Sequence, residues 1–304
     1  MIIQQKELGL TGFKIPEIGL GTWEYHTDPA PLRAGLEAGA WFIDTAESYG
    51  SEPVVAEAIR GVRERVFLAT KVSMQHLRRT DVFKAAEQSL RQLGVTHIDL
   101  YQIHHPNPQI PIEETMDAME TLVDQGKVRF IGVSNFNREQ LQNAQRMMRK
   151  HPIVSNQVRY NLADRTIEAE LLPYCQANGI TVIAYSPLCR SPVRILDCDP
   201  RGVLHELARE TGKTVVQVAL NWCLCRERVV VIPRGGTLAH VTENCGASGW
   251  RLTSEQVQRL NREIIFRERG PMEVFLRACM PASLVKPLKK LIASLPRGWR
   301  RRFN

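Results

Sequence analysis

Several features that would place the chain in a membrane or secreted class are missing from its sequence. No stretch approaches the roughly 20 uncharged apolar residues that a membrane-spanning helix needs. The N-terminal segment Met1-Ile-Ile-Gln-Gln-Lys6 is too short and too polar for a signal peptide. The 7 cysteines are odd in number and contain no Cys-x-x-Cys pair, which favours reduced thiols over a disulfide framework. These absences predict a cytoplasmic protein.

Acidic residues are missing from residues 274–304, although this segment contains eight Lys or Arg residues. The whole chain has 40 basic and 32 acidic residues, so its net charge of +8 comes from this tail and the remaining body is formally neutral. We therefore divide the chain into a body, residues 1–273, and a basic extension, residues 274–304.

The basic extension also carries an apolar stripe, formed by Leu284, Leu288, Leu291, Ile292 and Leu295. One interpretation is a helix packed on the body, or a frayed terminus. Another is an amphipathic helix in weak contact with an anionic membrane surface, with Trp299 at the interface. Contact with nucleic acid is a poorer interpretation, because a short basic end gives only non-specific attraction to phosphates. We expect a monomer without a specific nucleic-acid partner.

Short apolar runs alternate with amphipathic stretches along the body, roughly once every 25 to 40 residues. These runs are rich in Val and Ile and apolar on both faces, as is typical of strands in a covered parallel sheet. The eight predicted strands are residues 18–23, 41–44, 66–70, 98–103, 130–133, 154–158, 181–185 and 229–232. Eight strands with helices between them predict a single (β/α)₈ barrel of the TIM type. Residues 7–15 before them predict a small β-hairpin over the barrel bottom.

Two other arrangements for nicotinamide-dependent chemistry fail on spacing. An open doubly wound sheet would carry Gly-x-Gly-x-x-Gly after an early strand, but Glu24 stands where the third glycine should follow Gly19 and Gly21. A Tyr-x-x-x-Lys pair, as in short-chain dehydrogenases, is also absent, because none of the 6 tyrosines has a lysine four residues later. The barrel is therefore the preferred architecture.

Four ionisable residues lie where a barrel active site is expected. Asp44, Lys71 and His104 each end a predicted strand, and Tyr49 lies in the loop after one of them. Neighbouring parallel strands would bring these side chains together at the C-terminal face of the barrel. A phenol, whose reference pKa is about 10, is a poor acid near neutrality. A nearby ammonium lowers the pKa of the phenol, and a carboxylate holds that ammonium in place.

Motifs spread along residues 15–261 resemble those of the aldo-keto reductase superfamily. They are Gly19-Leu-Gly-Thr-Trp23, Asp44-Thr-Ala-Glu-Ser-Tyr49-Gly, Ala69-Thr-Lys71, Asp99-Leu-Tyr-Gln-Ile-His104, Gly126-Lys-Val-Arg-Phe-Ile-Gly-Val-Ser-Asn135-Phe, Ser155-Asn-Gln157-Val, Ala184-Tyr-Ser-Pro-Leu188 and Val231-Ile-Pro233. Each motif is weak alone, but all occur in the family order with family-like gaps.

The resemblance implies NADPH-dependent reduction of aldehydes and some ketones. Tyr49 would protonate the carbonyl oxygen, Lys71 would lower the pKa of the tyrosine, Asp44 would anchor Lys71, and His104 would orient the carbonyl. Taken singly, these residues would more often be a buried ion pair and a core histidine. Their joint match to the family favours the catalytic interpretation. A cofactor-sensing regulatory subunit with slow turnover is the alternative function.

The resemblance also implies which residues contact the cofactor. Uncharged hydrogen-bonding groups suit the nicotinamide carboxamide, because they fix the ring without disturbing its charge. Ser134-Asn135 alone would also fit a strand-end turn, and Tyr185 alone would fit a core aromatic. The implied contacts on the nicotinamide and pyrophosphate side are Gly21, Thr22, Asp44, Ser134, Asn135, Gln157, Tyr185, Ser186 and Leu188.

The adenosine end departs from the commonest family pattern, in which Lys and Ser follow the proline and an Arg stands six residues after that Lys. Here Arg234, Gly235 and His240 occupy these positions. Arg234 can still grip a 2′-phosphate, whereas neutral His240 is a weaker partner for an anion. Glu243 and Asn244 match contacts to the adenine amino group. NADPH is the expected cofactor, and NADH is a less favoured alternative.

The substrate side departs from the family as well. His105 stands where many members have Trp beside the catalytic histidine, and the loop over residues 105–112 is short. We expect a shallow, open pocket lined by Trp23, Tyr49, His104 and His105, with Tyr25 as a further candidate. The sequence does not name the natural carbonyl substrate.

Overall fold

A computed structural model of the chain describes residues 3–25 and 28–266. The predicted boundary between residues 273 and 274, together with the whole basic extension and its membrane interpretation, lies outside the described residues. Within the part that is described, no helix is long and apolar enough to cross a membrane.

Eight parallel strands form the sheet at the centre of the fold, and each pairs with its neighbour in sequence. They are β3 Leu20–Gly21, β4 Phe42–Asp44, β5 Phe67–Val72, β6 Ile98–Ile103, β7 Val128–Ser134, β8 Ile153–Arg159, β9 Thr181–Tyr185 and β10 Val229–Ile232. Parallel bridges from Ile18 to Val231 and from Gly21 to Arg234 join the first strand region to the last. The predicted (β/α)₈ barrel is confirmed, with every predicted strand in place.

The connections between strands run mainly through helices on the outside of the barrel. The described residues form α1 Ala30–Glu37, α2 Glu52–Ile59, α3 Arg79–Leu93, α4 Ile112–Asp124, α5 Arg138–Met147, α6 Leu171–Ala177, α7 Pro192–Leu196, α8 Val203–Thr211, α9 Val215–Leu224, α10 Leu238–Cys245 and α11 Ser254–Glu263. Their apolar faces pack on the outer side of the strands and bury one large core.

Alternation along the strands gives the barrel interior two layers. Side chains two residues apart on a strand point to the same face, so that Phe42 and Asp44, or Leu100 and Gln102, share the interior. The lower positions form a separate buried apolar cluster that includes Phe42, Phe67 and Leu100. The upper positions are polar, and Asp44, Lys71 and Gln102 are all buried. The interior therefore changes from apolar to polar toward the C-terminal ends of the strands.

The predicted N-terminal hairpin is also confirmed, with β1 Gln5–Glu7 antiparallel to β2 Lys14–Pro16. Leu8 and Ile15 from this hairpin belong to the interior apolar cluster, so the hairpin seals that end of the barrel. Lys6 fixes it to the body, because its ammonium donates to the carbonyl oxygens of Leu224, Arg226 and Val229 at 2.7, 3.0 and 2.8 Å.

Candidate active site

The predicted pair of Asp44 and Lys71 lies at the polar end of the barrel interior. Lys71 donates from Nζ to Asp44 Oδ1 at 2.6 Å and to the Thr45 carbonyl oxygen at 2.8 Å. Burial lowers the pKa of Lys71, but the charge of Asp44, together with interactions with Asp44 and Tyr49, raises it more, so the lysine pKa lies above its ordinary value. Lys71 is therefore a permanently charged group inside the barrel.

Tyr49 is positioned beside Lys71 by a short 3₁₀ turn, Glu47–Tyr49, that follows β4. The Lys71 ammonium lies 4.9 Å from the centroid of the tyrosine ring. Gly50 ends this turn in the left-handed conformation, at φ 68°, which residues with a side chain rarely adopt. The turn thus brings the phenol back over the strand ends, as predicted.

The electrostatic balance at Tyr49 differs from the one expected from sequence. Burial raises the pKa of the Tyr49 phenol, and the Lys71 charge lowers it by a smaller amount, so the net pKa lies above the ordinary value. The expected influence of the lysine is present, but the expectation of a net lowering is wrong because desolvation of the phenol outweighs it. Tyr49 consequently holds its proton at neutral pH.

The second oxygen of Asp44 is held by two amides that face it across the barrel. Gln102 donates from Nε2 to Asp44 Oδ2 at 3.2 Å, and Gln157 donates to the same oxygen at 2.6 Å. Since a carboxylate only accepts hydrogen bonds, these contacts orient both amides with nitrogen toward Asp44. Gln157 therefore keeps its amide oxygen for another partner, as contact with a carboxamide NH₂ would require.

His104 follows β6 and is the last of the four predicted catalytic residues. Its ring meets that of Tyr49 edge to face, with centroids 5.4 Å apart, and stacks on His105 with centroids 4.7 Å apart. Burial, with help from the Lys71 charge and from His105, lowers the pKa of His104 to about 2. Burial and Lys71 lower the pKa of His105 to about 4. Both imidazoles are neutral at physiological pH.

Ser134, Asn135 and Tyr185 form one hydrogen-bonded group at the ends of β7 and β9. Asn135 donates from Nδ2 to the His104 carbonyl oxygen at 2.9 Å and to Ser134 Oγ at 3.0 Å. The Tyr185 hydroxyl donates to Asn135 Oδ1 at 3.0 Å. Ser134 in turn donates to the Gln157 carbonyl oxygen at 2.9 Å. The structure thus brings the predicted nicotinamide contacts together beside His104.

Gly21 and Thr22 lie where the first strand of the barrel meets the last. A Cβ atom on Gly21 would come within 2.7 Å of the Ile232 carbonyl oxygen, so no larger residue fits there without a backbone shift. Thr22 is completely buried, and its hydroxyl donates to the Asp44 carbonyl oxygen at 3.0 Å. The two residues join the first strand to β4 next to the Asp44 carboxylate.

The segment after β9 carries unusual backbone geometry. Ser186, Cys189 and Arg190 have φ values of 49°, 54° and 68°, in a region that non-glycine residues seldom occupy. The Ser186 carbonyl oxygen accepts a hydrogen bond from Asn161 Nδ2 at 3.0 Å. Leu188 is half-buried against the outer core. The predicted pyrophosphate contacts therefore lie on a turn after β9 that has an unusual backbone conformation.

Arg234 follows β10, and its exposed guanidinium lies 3.7 Å from the carboxylate of Glu24. A Cβ atom on Gly235 would meet the Val241 side chain at 2.4 Å, which explains why a serine could not be accommodated without repacking. His240 is exposed in the first turn of α10, and Asn244 is buried with its amide 3.5 Å from the Arg234 carbonyl oxygen. Arg234, His240 and Asn244 thus share one end of the barrel rim.

Glu243 belongs to the same helix, α10, and its carbonyl oxygen accepts from Gln217 Nε2 at 3.1 Å. Its side chain is half-buried. All four predicted adenosine-end residues therefore lie on α10 or in the segment between β10 and α10.

The predicted substrate residues separate into two groups. Trp23 is 38% exposed and can line an open pocket, whereas Tyr25 is 5% exposed and packs in the outer core. Tyr25 is therefore no longer a pocket candidate. Arg190 lies over the ring of Trp23, with its guanidinium carbon 5.0 Å from the ring centroid. His105 stacks on His104, and this stacking replaces the packing of an indole at that position.

Sequence reasoning missed four residues that the structure places at the site: Gln102, Ser48, Glu24 and Arg190. Gln102 had a readable signal, because it interrupts an apolar strand pattern two residues before His104 and so shares its face. The other three lie in loops, and no periodicity indicates where a loop side chain points. Within residues 3–25 and 28–266, no three His, Cys, Asp or Glu side chains are grouped so that they could hold a metal ion.

The chain is similar to several known proteins along most of its length. The aldo/keto reductase family matches residues 17–264. A methylglyoxal reductase of Escherichia coli strain K12 is 37% identical over 271 residues, covering 86% of this chain and 95% of the relative. An aldo-keto reductase of Bacillus subtilis strain 168 is 34% identical over 305 residues, covering 83% of this chain and 90% of the relative.

The chain is also similar to a solved structure. A crystal structure of an aldo-keto reductase from Klebsiella pneumoniae in complex with NADPH is 36% identical, with a TM-score of 0.82. The match covers 88% of this chain and 98% of that chain.

Proposed function

This chain belongs to the aldo/keto reductase family, and on that premise we propose that it is an NADPH-dependent reductase of aldehydes and some ketones, with Tyr49 as the general acid. The observation that carries the proposal is the arrangement of Lys71 between Asp44 and Tyr49, 2.6 Å from the carboxylate and 4.9 Å from the phenol ring. A buried, charged lysine beside a half-buried phenol suits proton donation to a developing alkoxide.

The polar groups along the rim fit a nicotinamide dinucleotide phosphate. Neutral hydroxyls and amides, from Ser134, Asn135 and Gln157, stand at the ends of β7 and β8 beside His104, where an uncharged carboxamide would be held. Arg234 provides a cation at the opposite end, after β10, where a 2′-phosphate would be held. The groups along the rim thus change from neutral to cationic in the same direction in which the cofactor would run from its nicotinamide to its 2′-phosphate. A related Klebsiella pneumoniae enzyme is known in complex with NADPH.

When bound, NADPH supplies a hydride for the carbonyl carbon. Tyr49 then donates its phenolic proton to the carbonyl oxygen, and Lys71 stabilises the phenolate that remains. Asp44 keeps the lysine charge in place, while Gln102 and Gln157 fix the carboxylate through its second oxygen. Lys71 thus offsets part of the pKa increase that burial causes at Tyr49 and favours the product of the proton transfer.

His104 orients the substrate in this proposal. A carbonyl oxygen accepts hydrogen bonds, so a neutral imidazole must present an N–H to it. The edge-to-face contact with Tyr49 and the stack on His105 hold the ring of His104 beside the phenol. We expect the short loop over residues 105–112 to leave the pocket open to small substrates.

Steady-state oxidation of NADPH with a panel of small aldehydes tests the proposal, and methylglyoxal is included because one relative is a reductase of that compound. We expect turnover with several aldehydes and a large loss of turnover in a Tyr49→Phe variant that still binds NADPH. Negligible turnover with every aldehyde, despite tight NADPH binding by the wild-type protein, would instead favour the cofactor-sensing alternative.

A further inference from the structure

Ser48 contacts the catalytic histidine from the residue directly before the catalytic tyrosine. Its Oγ lies 3.3 Å from Nδ1 of His104. The 3₁₀ turn that carries Ser48 is anchored on its other side, because Glu47 Oε1 accepts from the Ser73 backbone N–H at 2.7 Å and lies 3.0 Å from His76 Nδ1. The serine is thus held at the histidine by fixed structure on both sides.

A neutral histidine has one donor nitrogen and one acceptor nitrogen, and the tautomer decides which is which. His104 is neutral at physiological pH, since burial, Lys71 and His105 lower its pKa to about 2. The stack on His105 and the contact with Tyr49 fix the plane of the ring but not the position of its proton. Only a hydrogen bond to one nitrogen can select the tautomer.

We propose that Ser48 is a positioning residue, whose hydroxyl donates to Nδ1 of His104 and keeps the imidazole proton on Nε2. Nε2–H is then the donor that points toward the carbonyl oxygen of the substrate. The inference rests on the proposed function for the identity of that acceptor. It adds a residue whose type decides whether the neighbouring histidine presents a donor or an acceptor to the substrate.

Nitrogen-15 NMR of histidine-labelled protein tests the tautomer without any turnover. The His104 resonances are assigned by their loss in a His104→Gln variant. In the wild-type protein we expect a protonated Nε2 and an unprotonated, hydrogen-bonded Nδ1. In Ser48→Ala the Nδ1 resonance should move toward that of a nitrogen without a hydrogen bond, and Ser48→Thr should restore it. A proton on Nδ1 in the wild type, or identical spectra in Ser48→Ala, would overturn the proposal.

Kinetics give a second measure with matched variants. Loss of one neutral hydrogen bond is typically worth about 0.5–1.5 kcal/mol, so kcat/KM for a small aldehyde should fall about 2- to 10-fold in Ser48→Ala. Ser48→Thr should recover most of this loss, and the NADPH dissociation constant should stay the same in both. An equal loss in the Thr variant would assign the effect to packing and overturn the proposal. Because the NMR result stands without turnover, failure of the proposed reaction is distinguishable from failure of this inference.

Discussion

Nζ of Lys71 lies 2.6 Å from Oδ1 of Asp44, and neither side chain is more than 2% exposed. Removing one partner of a buried ion pair typically costs about 3–5 kcal/mol, because the other charge stays buried without compensation. Substitutions at Asp44 therefore test stability and catalysis together. Changes at Tyr49, which pairs with no carboxylate, separate the two more cleanly.

Tyr49→Phe should lose most carbonyl reduction and keep NADPH affinity, because it removes the proton donor without removing the ring. General acid catalysis is typically worth about 10²–10⁴-fold, and kcat should fall within that range. Tyr174→Phe is a suitable control, since it removes a hydroxyl that contacts Gln145 on the helical side of the barrel. A rate close to that of the wild type would show that Tyr49 is not the acid.

Lys71→Met should reduce the rate through the tyrosine, because loss of the ammonium leaves burial unopposed and lets the pKa of the phenol rise further. The double variant with Tyr49→Phe should then be only slightly slower than Tyr49→Phe alone. Far-ultraviolet circular dichroism and thermal unfolding of each variant establish that the fold is retained. Fully additive losses would contradict the coupling of the two residues.

Stability should decline on the acid side because of His104 and His105. Their pKa values are lowered to about 2 and about 4, so the unfolded chain binds more protons than the folded one between these values and the ordinary value of 6.5. The free energy of unfolding is therefore unaffected by them above 6.5 and falls as the pH is lowered through that window. Urea unfolding from pH 7 to 4 measures the slope. His105→Gln should reduce it, and an unchanged slope would argue against a buried neutral His105.

Arg234→Ala should weaken NADPH much more than NADH, because only NADPH carries the 2′-phosphate. Loss of a charge-assisted hydrogen bond costs on the order of 1.5–3 kcal/mol, or roughly ten- to a hundredfold in affinity. Glu24→Gln should have the opposite sign and a smaller size, since an exposed carboxylate 3.7 Å from Arg234 competes with the phosphate. Fluorescence titration with both cofactors measures these changes. Equal weakening of NADPH and NADH in Arg234→Ala would exclude this role.

Deletion of residues 286–304 should leave NADPH affinity and turnover of a small aldehyde within a few-fold of the full chain. Every predicted catalytic and cofactor residue precedes this segment, and the body is formally neutral without the extension. Co-sedimentation with anionic vesicles tests the membrane interpretation. Binding by the full chain at low salt that is released as salt is raised would support it. Absence of binding at low salt would remove that interpretation.

The order of strand and helix patterns along the chain was sufficient to predict the barrel and the four residues at the centre of the candidate site. Eight buried-strand patterns separated by helical stretches leave few topologies, and parallel neighbours bring the ends of β4, β5 and β6 to one face. Asp44, Lys71 and His104 end those strands, so their convergence follows from connectivity alone. Tyr49 could be added because only five residues separate it from Asp44.

The other features of the site depend on distances between side chains in the folded protein. The balance between burial and Lys71 at Tyr49 depends on how much water the fold excludes, which no local pattern encodes. The sequence predicts that Gln157 contacts the cofactor, but it does not indicate that the amide also lies 2.6 Å from Asp44. Ser48, Glu24 and Arg190 lie in loops whose side-chain directions are set by tertiary packing. The sequence by itself determined the fold and predicted which groups would react. The tertiary structure determined the surroundings of these groups and their hydrogen-bond partners, because these depend on contacts between segments far apart in the chain.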